Sequence, residues 1–214
     1  MILLPGWGKP RSSSRCRSQG RPPPDKSKPR AKGESVCGES ADAAWANIDS
    51  RHCQEAVMPS FRLIALSPEQ FAPLFALSTE ELASRGIRRV TATSKPGFPC
   101  RVGLTDAEPG EELLLLPFEH QPNKSPYRAS GPIYVRAGAT QRTLPIGEIP
   151  GYVSLRQISL RAYDEGHLIV GAEVCAGEQV GAEIERQFAD PNVSYIHLHN
   201  AKRGCFSCLV ERGS

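Results

Sequence analysis

Gln157-Ile-Ser-Leu-Arg-Ala-Tyr163, followed by Asp164-Glu-Gly166 and Leu168-Ile-Val-Gly-Ala-Glu-Val174, sets the architecture. In the first segment Ile158, Leu160 and Ala162 alternate with other side chains, the two-residue period of a strand with one buried face. Asp164-Glu165-Gly166 supplies turn chemistry, and Leu168, Val170, Ala172 and Val174 alternate in return. The stretch reads as an antiparallel hairpin.

Downstream, Val180, Ile184 and Phe188 fall on one stripe of a helix that stops at Asp190-Pro191. Val193–His199 and Phe206–Glu211 then read as two closing strands. Upstream, Pro109-Gly110 turns the chain into a strand over Glu111–Phe118. Its four consecutive leucines, Leu113–Leu116, show no alternation, so both of its faces should be covered. Ile87–Thr91, Arg101–Leu104 and Ile133–Arg136 are further strands, and Phe61–Leu66 is a short first one.

Two helix starts follow that first strand. Ser67-Pro68-Glu69-Gln70 offers a cap, a proline where a missing N–H costs nothing and a capping glutamine, with Pro73 keeping the helix brief. Ser78-Thr-Glu-Glu81 is a second capping box, flanked by Leu77 and Leu82 as a staple and ended by Gly86. Strands and helices do not alternate regularly, which argues against a doubly wound sheet. The expected class is α+β: a mainly antiparallel sheet with two short N-terminal helices and one helix of the C-terminal half packed on it.

The charge is unevenly spread. Residues 1–57 carry ten Lys/Arg and six Asp/Glu, a net of +4, whereas residues 58–214 carry sixteen and seventeen, a net of −1. The near-neutral second part gives no argument for nucleic-acid binding by a folded domain. Its 157 residues suffice to bury about two-thirds of the unfolded surface.

Residues 1–57 are basic, rich in Ser and Pro, and poor in large apolar side chains, a composition that cannot offset the entropy of ordering a backbone. Three origins compete: a transit peptide, which the prolines oppose; a basic arm for nucleic acid; and upstream sequence read through from an early start. The third is adopted. Met58-Pro59-Ser60-Phe61 reads as the natural beginning, so residues 1–57 are expected to be a disordered extension and residues 58–214 one domain.

The seven cysteines, at 16, 37, 53, 100, 175, 205 and 208, are odd in number. No secretory signal or membrane-length apolar run accompanies them, so reduced thiols in a cytoplasm are expected. The motifs GxxxxGK[ST], GxGxxG, HExxH and GxSxG are missing, and no fixed-period repeat occurs.

The densest reactive cluster is Tyr195-Ile-His197-Leu-His199-Asn200 through Gly204-Cys205-Phe-Ser-Cys208. Strand period turns Ile196 and Leu198 to one face and Tyr195, His197 and His199 to the other, the two imidazoles roughly 6–7 Å apart. Three readings stay open: a His/Cys zinc set, Cys205 as a nucleophile activated by His199 or His197 and oriented by Asn200, and a hydrogen-bonded histidine pair beside an inert thiol. A second region, Glu119 to Pro132, reads as a long ordered loop leaving the buried strand. There His120 lies at the strand end, and Arg128, Tyr127 and Ser130 are suited to a carboxylate or phosphate. Cys100 and Cys175 read as structural.

From Phe61 onward the chain resembles the bacterial family of unknown function 1203. The resemblance rests on Ser94-Lys-Pro-Gly-Phe-Pro-Cys100-Arg101, Asp106-Ala-Glu-Pro-Gly-Glu111, His120-Gln121-Pro122, Ser125-Pro-Tyr-Arg-Ala-Ser-Gly-Pro132, His197-Leu-His199-Asn200-Ala and Gly204-Cys205. It implies a coherent fold and a start near Met58, and carries no activity. The family pattern holds a thiol at the place of Cys205 and none at Cys208, which counts against a zinc site using both.

The functional expectation is an enzyme acting on a small polar or anionic molecule. Cys205, His199, His197 and His120 would be catalytic, and Arg128, Ser130, Tyr127 and Asn200 substrate-binding. No cofactor is expected on this reading. The alternatives are a non-catalytic ligand- or metal-binding domain, with zinc as the ion, and a nucleic-acid binder acting through the basic arm.

Overall fold

The computed structural model describes residues 60–213. The expectations for residues 1–57, and for a start at Met58, lie outside the described residues.

The hairpin forms as its alternation requires. Strands β7 (Gln157–Tyr163) and β8 (Ile169–Ala176) pair antiparallel, with a bulge beside Tyr163. They belong to a five-stranded antiparallel sheet of order β1-β10-β9-β7-β8. The other members are β1 (Phe61–Ile64), β9 (Tyr195–Asn200) and β10 (Phe206–Arg212). Ile158, Leu160, Ala162, Ile196, Leu198 and Val210 turn to one face of this sheet. There they meet Val180, Ile184 and Phe188, the apolar stripe of helix α3 (Val180–Phe188). Each fully buried aliphatic side chain of this kind contributes roughly 1.5–3 kcal/mol.

The second sheet has order β2-β5-β6-β3-β4. Its centre is β5 (Glu112–Gln121), flanked by β2 (Arg88–Thr91) and β6 (Ala129–Arg136). The two-residue strands β3 (Pro99–Cys100) and β4 (Thr105–Asp106) complete it. All its pairings are antiparallel except β3 with β6. The leucine run is covered on both sides, as expected. Leu114 and Leu116 join Ile133, Val135 and Phe206, while Leu113 packs with Ala92 and Ala107. Phe206 belongs to β10, so the first group is where the two sheets meet.

Helix α1 (Thr79–Ser84) carries the expected capping box. The Ser78 side chain accepts from the Glu81 N–H, and the Glu81 carboxylate accepts from the Ser78 N–H. Gly86, at φ +71°, turns the chain out of it. The first expected helix is instead a turn at Ser67 followed by a 3-10 segment, Ala72–Ala76, with Pro73 at its start. A single extra helical turn, α2 (Gly151–Ser154), buries Tyr152 and Val153. No helix among the described residues is long and apolar enough to cross a membrane.

The fold is α+β and mainly antiparallel, as expected, with its strands divided between two sheets. Two other expectations need correction. Arg101–Leu104 is a turn between β3 and β4, not a strand; Arg101, Val102 and Leu104 are buried because the turn itself is covered. The long loop from Glu119 to Pro132 is mostly hairpin, for β5 runs to Gln121 and β6 begins at Ala129. Proline content misleads there: Pro117 and Pro132 stand opposite each other, so the two residues unable to donate share one rung of the ladder. On β8 the alternating Val170 and Val174 are exposed, since none of the described residues covers that face of an edge strand.

Candidate metal centre

Strand alternation builds the site from both sheets. On β9, His197 and His199 point away from Ile196 and Leu198, hence away from α3 and towards the second sheet. On β5, His120 continues the series Leu114, Leu116, Phe118 that faces the first sheet. The three rings converge: centroids lie 4.9 Å apart for His120 and His199, 5.9 Å for His120 and His197, and 6.2 Å for His197 and His199. One nitrogen of each ring lies within 4.8 Å of one nitrogen of the others, and among the described residues these are the only three ligating side chains so grouped.

The hydrogen bonding leaves nitrogens free. His199 donates from Nδ1 to the Gly204 carbonyl at 2.9 Å, which fixes the tautomer and presents a lone pair on Nε2. That Nε2 is buried with no partner among the described residues, as are Nδ1 of His120 and Nδ1 of His197. Buried polar atoms are nearly always paired, so three unpaired ones in a single cluster call for an explanation.

All three imidazoles are held neutral. Burial depresses His197 and His199 to about 3, with smaller contributions from charges around them, and it lowers His120 as well. Among those charges is Arg161 of β7, which faces His197 across the ladder. Phe206 packs against every ring: parallel to His120 at 5.3 Å, and edge-on to His197 and His199 at 5.2 and 5.8 Å. Tyr163 stacks on Tyr195 and leans on His197. Tyr195 is itself tied down, accepting from Gln121 Nε2 at 2.8 Å and hydrogen-bonded to His167 Nδ1 at 2.9 Å. A shallow cleft of about 490 Å³ reaches His120 and His197, and Glu211 and Asn123 stand on its walls.

A tetrahedral zinc with bonds of about 2.0–2.1 Å keeps its ligand atoms roughly 3.4 Å apart. The ligand atoms of the three histidines lie within 4.8 Å of one another, wider than that by about 1.4 Å at most. Three neutral imidazoles, one oriented by a backbone carbonyl, form a ligand set for such an ion.

The remaining expected site residues lie elsewhere. Among the described residues Cys205 makes no hydrogen bond to a histidine; its thiol is 3.9 Å from the Arg203 carbonyl. With Asn200 it lines a different cavity. Cys208 is turned to the opposite face of β10, where a bulge after Phe206 sets it across from Leu198. Burial raises its thiol to about 11. The zinc set of two histidines and two cysteines does not form. Arg128 is exposed and bound to Glu119 at 2.6 Å, because Glu119, next to His120 on an extended strand, points the other way. Ser130, opposite Glu119 in the ladder, is exposed too. Tyr127 is half exposed, its ring edge-on to Tyr163.

Sequence reasoning passed over Arg161, Tyr163 and Phe206. The first two carried a signal, since they share the face of β7 opposite Ile158 and Leu160. Phe206 carried none without knowledge of the sheet packing.

Residues 97–212 match the family described as Protein of unknown function (DUF1203), more than half of the chain. The chain belongs to that family. The DUF1203 span contains all three histidines, Arg161 and Phe206, so the whole centre lies within it. No curated protein and no solved structure matches the chain.

Proposed function

We propose that this protein is a metal-dependent enzyme acting on a small polar or anionic molecule, with His120, His197 and His199 holding a zinc-type divalent ion. The observation that carries the proposal is the convergence of three imidazoles, each with a ligand atom within 4.8 Å of the others and each with a buried nitrogen that has no partner among the described residues. Three neutral ligands leave a fourth position for water or substrate, the arrangement of catalytic rather than closed structural sites. Arg161 adds positive charge, and no carboxylate belongs to the ligand cluster. The occupied centre would therefore be strongly cationic and would favour hydroxide or an anionic substrate group at the open position. Glu211 lines the same cleft, and on this reading it would manage a proton.

This reading replaces thiol catalysis as the leading one, because Cys205 lacks a histidine partner among the described residues. The metal-binding alternative shares the same ligands and differs only in turnover. Cys100, Cys175, Cys205 and Cys208 are free thiols, which supports a reducing, cytoplasmic setting.

Elemental analysis and cobalt titration of the purified full chain test the proposal. About one equivalent of metal is expected, with cobalt giving the intense visible bands of a tetrahedral site, and each of His120→Ala, His197→Ala and His199→Ala should abolish them. Failure of the unsubstituted chain to bind zinc or cobalt at micromolar concentration would overturn it.

A further inference from the structure

A second cavity, of about 620 Å³, is lined by Arg101, Arg156, Lys202, Arg203, Asn200 and Cys205, with apolar walls that include Tyr134 and Leu155. Among the described residues no carboxylate lines it. Asp106 is bound to the cavity's Arg156 at 2.5 Å and also accepts from the Gly97 N–H. Four cationic side chains thus line the cavity, and Asp106 engages one of them, Arg156.

Arg101 is the decisive member. It is 1% exposed, and among the described residues its guanidinium donates only to backbone carbonyls, those of Phe206 at 2.6 Å and of Pro99. Arginine does not escape by losing its proton. Burying a guanidinium without a counter-ion is costly, and such charges are paired or bind a ligand. Asn200 adds a buried Oδ1 with no partner, an acceptor for a hydroxyl or amide.

We infer that this cavity is a binding site for a phosphate-bearing small molecule, whose phosphate takes the place of the missing counter-ion between Arg101, Arg156, Lys202 and Arg203. Planar guanidinium forks match phosphate oxygens two at a time, and the excess charge suits a group carrying close to two negative charges at neutral pH. The volume lies within the range of small-molecule sites, and the Tyr134 and Leu155 walls would receive the organic body. The site is separate from the histidine centre and does not depend on a metal there.

Cys205 on the wall gives a local reporter. The full chain is alkylated with iodoacetamide, a neutral reagent, in potassium phosphate or in potassium chloride of equal ionic strength, and the rate at Cys205 is read by peptide mass spectrometry. Phosphate should slow Cys205 saturably while leaving Cys175 unchanged, before and after chelator treatment. Lys202 and Arg203 are exposed turn residues whose replacement spares the core. Lys202→Ala with Arg203→Ala should weaken the protection roughly tenfold or more. Equal rates in phosphate and chloride would overturn the inference. So would protection that survives the double substitution, or stronger protection by succinate than by phosphate.

Discussion

The ring of Phe206 lies parallel to that of His120, 2° from coplanar orientation with centroids 5.3 Å apart, although the two residues come from different sheets. The same phenylalanine offers its carbonyl to Arg101 at 2.6 Å. One residue therefore backs the histidine cluster with its side chain and anchors the cationic cavity with its main chain.

Truncating that ring should be costly. Phe206→Ala removes a buried aromatic that touches all three imidazoles and the leucines of β5. A loss of about 3–5 kcal/mol is expected in urea unfolding, with weaker metal binding in the folded variant. A loss below about 1 kcal/mol would mean that the ring is not packed as described.

Acid should destabilise the metal-free protein over a defined window. His197 and His199 titrate near 3 when folded and near 6.5 when unfolded. Between those values the unfolded chain binds more protons, so stability rises with pH. It is fully present above about 6.5 and is lost progressively as pH falls towards 3, by up to about 1.4 kcal/mol per pH unit for each imidazole. Chelated protein followed by urea titration from pH 8 to pH 4 checks this, and a His197→Gln variant should show a shallower slope.

Arg128→Ala should leave metal content unchanged. The side chain is exposed and, among the described residues, engaged only with Glu119, outside the cluster. Exposed pairs of this kind contribute little. If cobalt binding fell markedly in this variant, the placement of Arg128 on the outer face would be wrong.

Ser78→Ala should cost about 1 kcal/mol, since the hydroxyl caps the Glu81 N–H at the start of α1. Ser78→Asp should restore most of it, because an aspartate accepts the same N–H and favours a helix N-terminus. Thermal unfolding of both variants compares them directly.

The site was half legible in the sequence. His197 and His199 share a face through strand period alone, and their observed centroid separation of 6.2 Å is what two positions on a strand give. His120 could be named as a candidate at a strand end, but its distance from the pair depends on how two sheets pack, which no local pattern encodes. Arg128 was misplaced for a local reason. Its proline-rich segment reads as a loop, whereas in the observed hairpin the alternation of Glu119 and His120 sends the two to opposite sides. Cys208 was diverted by a bulge, a one-residue irregularity that reverses side-chain facing.

By itself the sequence determined the elements whose signals are local. These are the β7–β8 hairpin, the Ser78 capping box, the stripe of α3 and the two-sided burial of the leucine strand, each a matter of nearest-neighbour periodicity and backbone chemistry. Only the tertiary structure decided that there are two sheets, that β5 brings His120 against β9, and that Arg101 is enclosed with no carboxylate partner among the described residues. Those outcomes arise from contacts between residues far apart in the chain, where burial and packing, rather than propensity, select the partner.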